Sequence, residues 1–369
     1  MRVLIAPDKF KGTLTAREAA LAIARGWRRV RPQDQIKLLP ISDGGDGFGL
    51  VLAQGLAARP ATCATVNAAG EPLRARWWVS SDRDTAIIES ARIIGLAMLP
   101  TGRFHPFQLD TRGLARVLQN AARRGVRRCL VGIGGSATND GGFGLARGLG
   151  WQFLDAAGHP FASWTELHRL RRLVPPEQRT VPPRIEVAVD VQNPLLGAQG
   201  CTRIYGPQKG LRPADFALAE RNLRQLARVT RDQLGRDLAN EPGAGAAGGL
   251  GFGLAAFANA RLVPGFDLVA RCTDLDRQLA RADLVITGEG RVDASTFMGK
   301  GVGELWRRCA ARKIPCLALA GVIGNATIVR RHFTHAESLV ELAGPEAALA
   351  EPAFWLRRIA QRVAAGWPD

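Results

Sequence analysis

Apolar and polar positions along this chain repeat with two periods, and the switches between them predict its elements. Val3–Ala6 is a short continuous apolar run, as expected of a strand buried on both faces. Thr15 followed by Glu18 gives a capping-box signature, and apolar residues then recur at helical spacing, so a helix is expected over Ala16–Val30. Ile36–Pro40 reads as a second strand, followed by a glycine-rich loop and a helix from about Phe48. The C-terminal part resumes this alternation with strand Leu284–Thr287, helix Gly301–Arg312, strand Cys316–Ala320 and a third strand over Ser338–Glu341. Strands alternating with helices imply a parallel sheet covered on both faces.

The middle has a different rhythm. Thr62–Val66, Leu73–Ser80 and Thr85–Glu89 read as an antiparallel meander, with turns at Ala69-Gly70 and Asp82–Asp84. Leu130–Ile133 and Ile185–Asp190 follow as further strands, separated by helices and a proline-rich connector near Pro175–Pro183. The expected fold class is therefore α/β with an insertion. Residues 1–60 and 265–369 would form a flavodoxin-like parallel-sheet domain of about five strands, and 61–264 a second, mixed α/β domain. Ligands of such sheets lie beyond the carboxyl ends of the strands, and two domains so arranged would leave a cleft. The last helix, Phe354 to Trp367, spaces Trp355, Ile359, Val363 and Trp367 for docking on its own domain.

Composition narrows the function. A hydrophobic fraction of 46% and a charged fraction of 22% suit a soluble globular protein. No signal-peptide pattern opens the chain, and the uncharged stretch Pro242–Ala260 is too rich in glycine for a membrane span, so it reads as a loop entering a helix. The six cysteines have no C-x-x-C spacing, which suits reduced thiols in a cytoplasmic protein and argues against zinc. The net charge of +17 favours acidic partners, but the arginines are dispersed and no nucleic-acid-binding motif accompanies them. Neither a nucleic-acid nor a membrane partner is expected. Only six of the 50 basic residues are lysines, and four of these (Lys9, Lys11, Lys209, Lys300) stand in motifs rich in glycine, proline or acids. A compact ammonium is suited to a phosphoryl oxygen.

Five motifs combine glycine with acids or lysines: Asp8–Gly12, Ser42–Gly47, Gly132–Gly142, Gly206–Gly210 and Thr287–Asp293. Glycines let backbone N–H groups approach an anion, carboxylates beside them can hold Mg²⁺, and lysines can neutralise a transferring phosphoryl group. Neither a G-x-x-x-x-G-K-[ST] P-loop nor a dinucleotide fingerprint occurs.

The blocks APDKFKGTLTA, ISDGGDG, GIGGSATNDGG, GPQKG, GAGAAGGLG and VITGEGRVD stand in the order and approximate spacing of type I glycerate kinases, which the chain resembles from about Met1 to Val322. The resemblance implies a two-domain α/β fold and phosphorylation of D-glycerate by ATP with Mg²⁺, giving 2-phosphoglycerate or 3-phosphoglycerate. The chain departs from the family pattern at Asp110-Thr111-Arg112-Gly113, where only Thr is kept, at Gln192, where an amide replaces a carboxylate, and at Gly301-Val302.

On this reading the catalytic candidates are Lys9, Lys11, Asp43 and Asp190, the lysines stabilising charge on the transferring group. Asp8, Gly134, Gly135, Ser136, Thr138, Lys209, Glu289, Arg291 and Lys300 are candidates for contacting phosphate or substrate. Asp190 and Asp293 are candidates for the metal; Arg291 would pair with the glycerate carboxylate or with its acidic neighbours. Asp46 and Asp140 suit helix N-capping equally well. Two alternatives are a kinase for another small hydroxy acid and a basic nucleic-acid-binding or regulatory protein on a kinase scaffold.

Overall fold

The computed structural model describes residues 1–299 and 301–368. Its strands, in chain order, are β1 (Arg2–Ile5), β2 (Gln35–Leu38), β3 (Arg59–Val66), β4 (Pro72–Val79), β5 (Thr85–Glu89), β6 (Arg128–Gly132), β7 (Gln152–Leu154) and β8 (Arg172–Val174). They continue with β9 (Arg184–Val189), β10 (Arg261–Pro264), β11 (Leu284–Thr287), β12 (Arg291–Val292), β13 (Cys316–Ala320), β14 (Val322–Ile323) and β15 (His335–Ser338). The chain divides into two units. The first comprises Met1–Asp43, Leu50–Gly55 and Phe266–Asp369; the second comprises Gly44–Gly49 and Leu56–Gly265.

The first unit is built on a parallel sheet in the order β15-β13-β11-β1-β2. Taken by succession in the chain, that is the flavodoxin-like order, with β1 beside both β2 and β11. Alternate residues of these strands enter two different cores. Val3, Ile5, Ile286 and Leu319 pack with the helices Ala16–Val30 and Pro352–Gly366. Leu4, Val285, Ala318 and Ala320 face the other way, against Leu279, Val302 and Leu305. Burial on both faces is why these strands read as unbroken apolar runs. The helix Ala16–Val30 starts at the expected capping box of Thr15 and Glu18. A methyl group on Gly26 would lie 2.2 Å from the Arg357 carbonyl, so a glycine is what lets the C-terminal helix pack this closely.

One expected strand is misplaced. The third C-terminal strand is β15, His335–Ser338, and Leu339–Ala343 is a helix. The Ser338 hydroxyl accepts from the Glu341 N–H and caps that helix, which converts the apolar Leu339-Val340 pair from strand to helix.

The second unit carries a mixed sheet in the order β10-β9-β6-β5-β4-β3. β3, β4 and β5 form the antiparallel meander, whereas β5, β6, β9 and β10 run parallel. One face buries Ile88, Val131, Val187, Leu114 and Leu118. A separate aromatic cluster around Phe143, Phe153, Trp164 and Phe252 fills the region over the β7–β8 pair. The glycine-rich segment enters a helix as expected: Ala247, Gly248 and Gly249 have positive φ before regular helix continues to Ala258. Among the described residues, no helix is long and apolar enough to cross a membrane.

Candidate active site

In the first unit the site candidates gather past the carboxyl end of the parallel sheet. β1 stays paired beyond Ile5: the Ala6 N–H donates to the Ile286 carbonyl and the Asp8 N–H to the Gly288 carbonyl, both at 2.8 Å. The Thr287 hydroxyl donates to the Ala6 carbonyl at 2.8 Å and locks the two strand ends together. The chain then reverses tightly, with Phe10 and Leu14 exchanging backbone hydrogen bonds and the left-handed Gly12 (φ +82°) at the turn. Phe10 is buried beneath this turn, Lys9 is half-buried and Lys11 is exposed. Two further loops close in. The Ile41 N–H donates to the Pro7 carbonyl, which brings Ser42-Asp43 alongside, and Gly290 backs onto the chain at Phe10 and Lys11. Gly288 itself passes so near β13 that a methyl group there would sit 1.8 Å from the Leu319 carbonyl.

Asp8 is the electrostatic centre of this cluster. Only 8% exposed, it has its carboxyl pushed well above the ordinary carboxylate range, first by burial and then by the negative charges of Asp43 and Glu289. The Lys9 N–H, 2.6 Å from Oδ1, and the Lys9 charge oppose this. The start of the helix Gly301–Ala311 also approaches it, since a methyl group on Gly301 would lie 3.4 Å from Asp8 Oδ2. A buried acid beside a lysine and a helix start, with a raised pKa, is a group suited to handling a proton.

Of the remaining first-unit candidates, Glu289 and Asp293 have structural partners. The Thr296 hydroxyl donates to Glu289 at 2.8 Å. Asp293 accepts from the Ser295 N–H (2.9 Å) and hydroxyl (2.6 Å), capping the short turn Ala294–Phe297. Arg291 lies exposed on β12, which pairs with β14. Lys300 lies outside the described residues.

In the second unit the loop following β6 is held from below. The Ser136 hydroxyl lies 3.2 Å from that of Thr138 and donates to the Ala247 carbonyl at 3.0 Å, while the Gly141 N–H donates to the Gly248 carbonyl. Gly248 must be a glycine: its φ is +72°, and a methyl group there would lie 2.0 Å from the Thr138 carbonyl. Gly134 and Gly135 form the more open rim, Gly135 left-handed at φ +75°. The loop Gly44–Gly49 lies against that rim, with the Gly134 N–H 3.4 Å from the Gly44 carbonyl.

Lys209 is not presented to solvent. It is 6% exposed at the end of the helix Cys201–Lys209, and its ammonium donates to the Thr138 carbonyl at 2.7 Å. Burial lowers its pKa to about 8. It braces the loop. Asp140 does the same from the other side. Fully buried, it accepts from the Thr111 N–H and hydroxyl, the Gly144 N–H and the Gly142 N–H at 2.8–3.1 Å. Burial and then Asp110 push its carboxyl up to about 6, against the pull of those donors. Asp190 stands exposed just past β9, and with burial as the larger cause it helps raise the Tyr205 phenol to about 12.

Two residues were missed in the sequence. Glu89, at the end of β5, accepts from the Gly47 and Gly49 N–H groups at 2.9 and 3.1 Å and pins the Gly44–Gly49 loop. A glutamate closing the otherwise apolar run Thr85–Ile88 was the available signal. Thr111 was noted only as a family match, yet it holds Asp140 and also accepts from the Leu145 N–H at 2.8 Å.

For Mg²⁺, the first unit supplies hard oxygen donors whose mutual repulsion a cation would relieve, since Asp43 and Glu289 both act on Asp8. Among the described residues no group of three or more His, Cys, Asp or Glu is gathered into a metal cage. A metal arriving with phosphates needs only one or two carboxylates, so this donor set fits.

A model of the glycerate kinase family matches residues 3–368. A glycerate kinase from Halalkalibacterium halodurans is 38% identical over 328 residues, covering 88% of this chain and 86% of the relative. The glycerate 2-kinase of Escherichia coli is 36% identical over 344 residues, covering 90% and 88%. A crystal structure of a "putative glycerate kinase 2" from Salmonella typhimurium LT2 superposes with a TM-score of 0.86 at 33% identity, covering 99% of this chain and 98% of that one.

Proposed function

Because this chain belongs to the glycerate kinase family, we propose that it transfers the terminal phosphoryl group of ATP to a hydroxyl of D-glycerate, giving 2-phosphoglycerate. A glycerate hydroxyl oxygen bonds to the γ-phosphorus, the bond to the bridging oxygen breaks, ADP leaves, and the hydroxyl proton passes to a carboxylate. Lys9 and Lys11 stabilise the charge on the transferring group, the main contribution a protein makes to this chemistry. Asp8 in its carboxylate form, its proton affinity raised first by burial, takes up the released proton. Asp43 and Glu289 would hold Mg²⁺ arriving with the nucleotide, and the ion would supply charge neutralisation. The rim at Gly134 and Gly135 offers backbone N–H donors to ligand oxygens. Thr138 and Lys209 keep that loop in place.

The observation that carries this reading is the Asp8-Lys9 turn, an acid and a lysine held by backbone bonds at the carboxyl end of a parallel sheet. The test incubates the protein with ATP, Mg²⁺ and D-glycerate and identifies the product by ³¹P and ¹³C NMR. Phosphate on C2 is the expected result. Phosphate on C3 would correct the regiochemistry, and ADP release that ignores glycerate but responds to another hydroxy acid would overturn the substrate.

A further inference from the structure

At the opposite, amino end of the first unit's sheet there is a cavity of about 250 Å³. Its floor includes Leu4, and its walls carry Arg2, Gln35, Lys37, Gln278 and Arg281. We infer that this cavity is a binding site for a small polyanion, a compact di- or tricarboxylate or phosphate, separate from the site at the carboxyl end.

The fold explains why the cavity exists. Leu4 belongs to the face packed against Leu275 and Leu279 of the helix Leu275–Leu279. Register places Gln35 opposite Arg2 and Lys37 opposite Leu4, and β2 is the edge strand. Gln35 and Lys37 are exposed, so that helix leaves this part of the edge strand uncovered. A shelf results, closed on its far side by Gln278 and Arg281 from the end of the helix and the turn after it.

The chemistry of the walls is one-sided. Arg2 is neutralised by Asp283, with Nη2–Oδ1 at 2.7 Å and Nε–Oδ2 at 3.3 Å. Lys37 and Arg281 make no ion pair or side-chain hydrogen bond among the described residues, which leaves two uncompensated cations facing one space. Gln35 and Gln278 add amide groups that can donate to or accept from a ligand's oxygens. A single lysine on an edge strand is explained by the need to discourage strand pairing. Two cations and two amides from segments far apart in sequence, converging on one cavity, exceed that need.

Volume and charge set the ligand class. About 250 Å³ is below the usual range for drug-sized ligands, so a nucleotide is too large and a compact acid of two or three charges fits. Leu4 on the cavity floor stands four residues before Asp8, about 13 Å along an extended strand, so a compact occupant here would not reach the Asp8 cluster. This site is independent of the phosphoryl-transfer chemistry.

The test is isothermal titration of the wild type and of Lys37→Gln/Arg281→Gln with citrate and, separately, inorganic phosphate, at about 0.15 M salt. Both positions are exposed, so thermal midpoint and glycerate phosphorylation without either anion should be unchanged. The expected result is submillimolar binding of at least one probe to the wild type, weakened about tenfold or more in the variant. The probe that shows the loss identifies the site as carboxylate- or phosphate-selective. Equal affinities in the two proteins, or no binding of either probe to the wild type, would overturn the inference.

Discussion

Replacing Lys209 with Met isolates the energetics of the loop that carries Ser136 and Thr138. The buried ammonium donates to the Thr138 carbonyl at 2.7 Å, and burial lowers its pKa from the ordinary 10.5 to about 8. As pH rises through 8 the folded protein loses this proton, while the unfolded chain keeps it until about 10.5. Between those values the unfolded state binds more protons, so stability increases with pH. At 1.36 kcal/mol per pKa unit, the contribution grows by about 2–3 kcal/mol from pH 7 to pH 10. The Met variant has no such group, and titrations shared by both proteins cancel in their difference. Urea unfolding of both proteins from pH 7 to 10 measures it. Wild-type stability relative to Lys209→Met should climb by about 2–3 kcal/mol over that range. A difference flat to within about 0.5 kcal/mol would show that the ammonium is not buried against Thr138, and the loop support described for it would be wrong.

Two further substitutions probe the supports of the second unit. Gly248→Ala forces a side chain into a left-handed conformation and to 2.0 Å from the Thr138 carbonyl, so it should cost about 3 kcal/mol in urea unfolding. Glu89→Gln sets an amide N–H against the Gly47 or Gly49 N–H; it should cost about 1–3 kcal/mol and lower kcat/KM for glycerate phosphorylation, with near wild-type values counting against a positioning role for Glu89.

Much of the first unit was legible because its signals are local. Ala16–Val30 announces itself with a capping box, and β11 and β13 are bounded apolar runs. Ser338 was misread because the same hydroxyl-bearing residue can end a strand or cap a helix, and only the Glu341 N–H decides between them. The motifs mark loops but not the job of each residue within them. Lys209 and Asp140 look like ligand groups in a glycine-rich sequence, yet both are buried and spent on holding backbone. Their partners, Thr138 and Thr111, lie 71 and 29 residues away, a separation that no periodicity encodes. Asp8 is the reverse case. It and its neighbours Asp43 and Glu289 come from three separate strand ends, and only the parallel sheet brings them within electrostatic reach.

The most direct test of phosphoryl transfer at the Asp8–Lys11 turn is the single-turnover rate of Lys9→Met/Lys11→Met with ATP, Mg²⁺ and D-glycerate. Removing two cations aimed at developing phosphoryl charge should slow the chemical step by about a thousandfold or more. Lys9 is only half-buried and Lys11 exposed, so the far-UV circular dichroism and the urea midpoint should stay at wild-type values. A folded double variant that turns over at close to the wild-type rate would contradict the account.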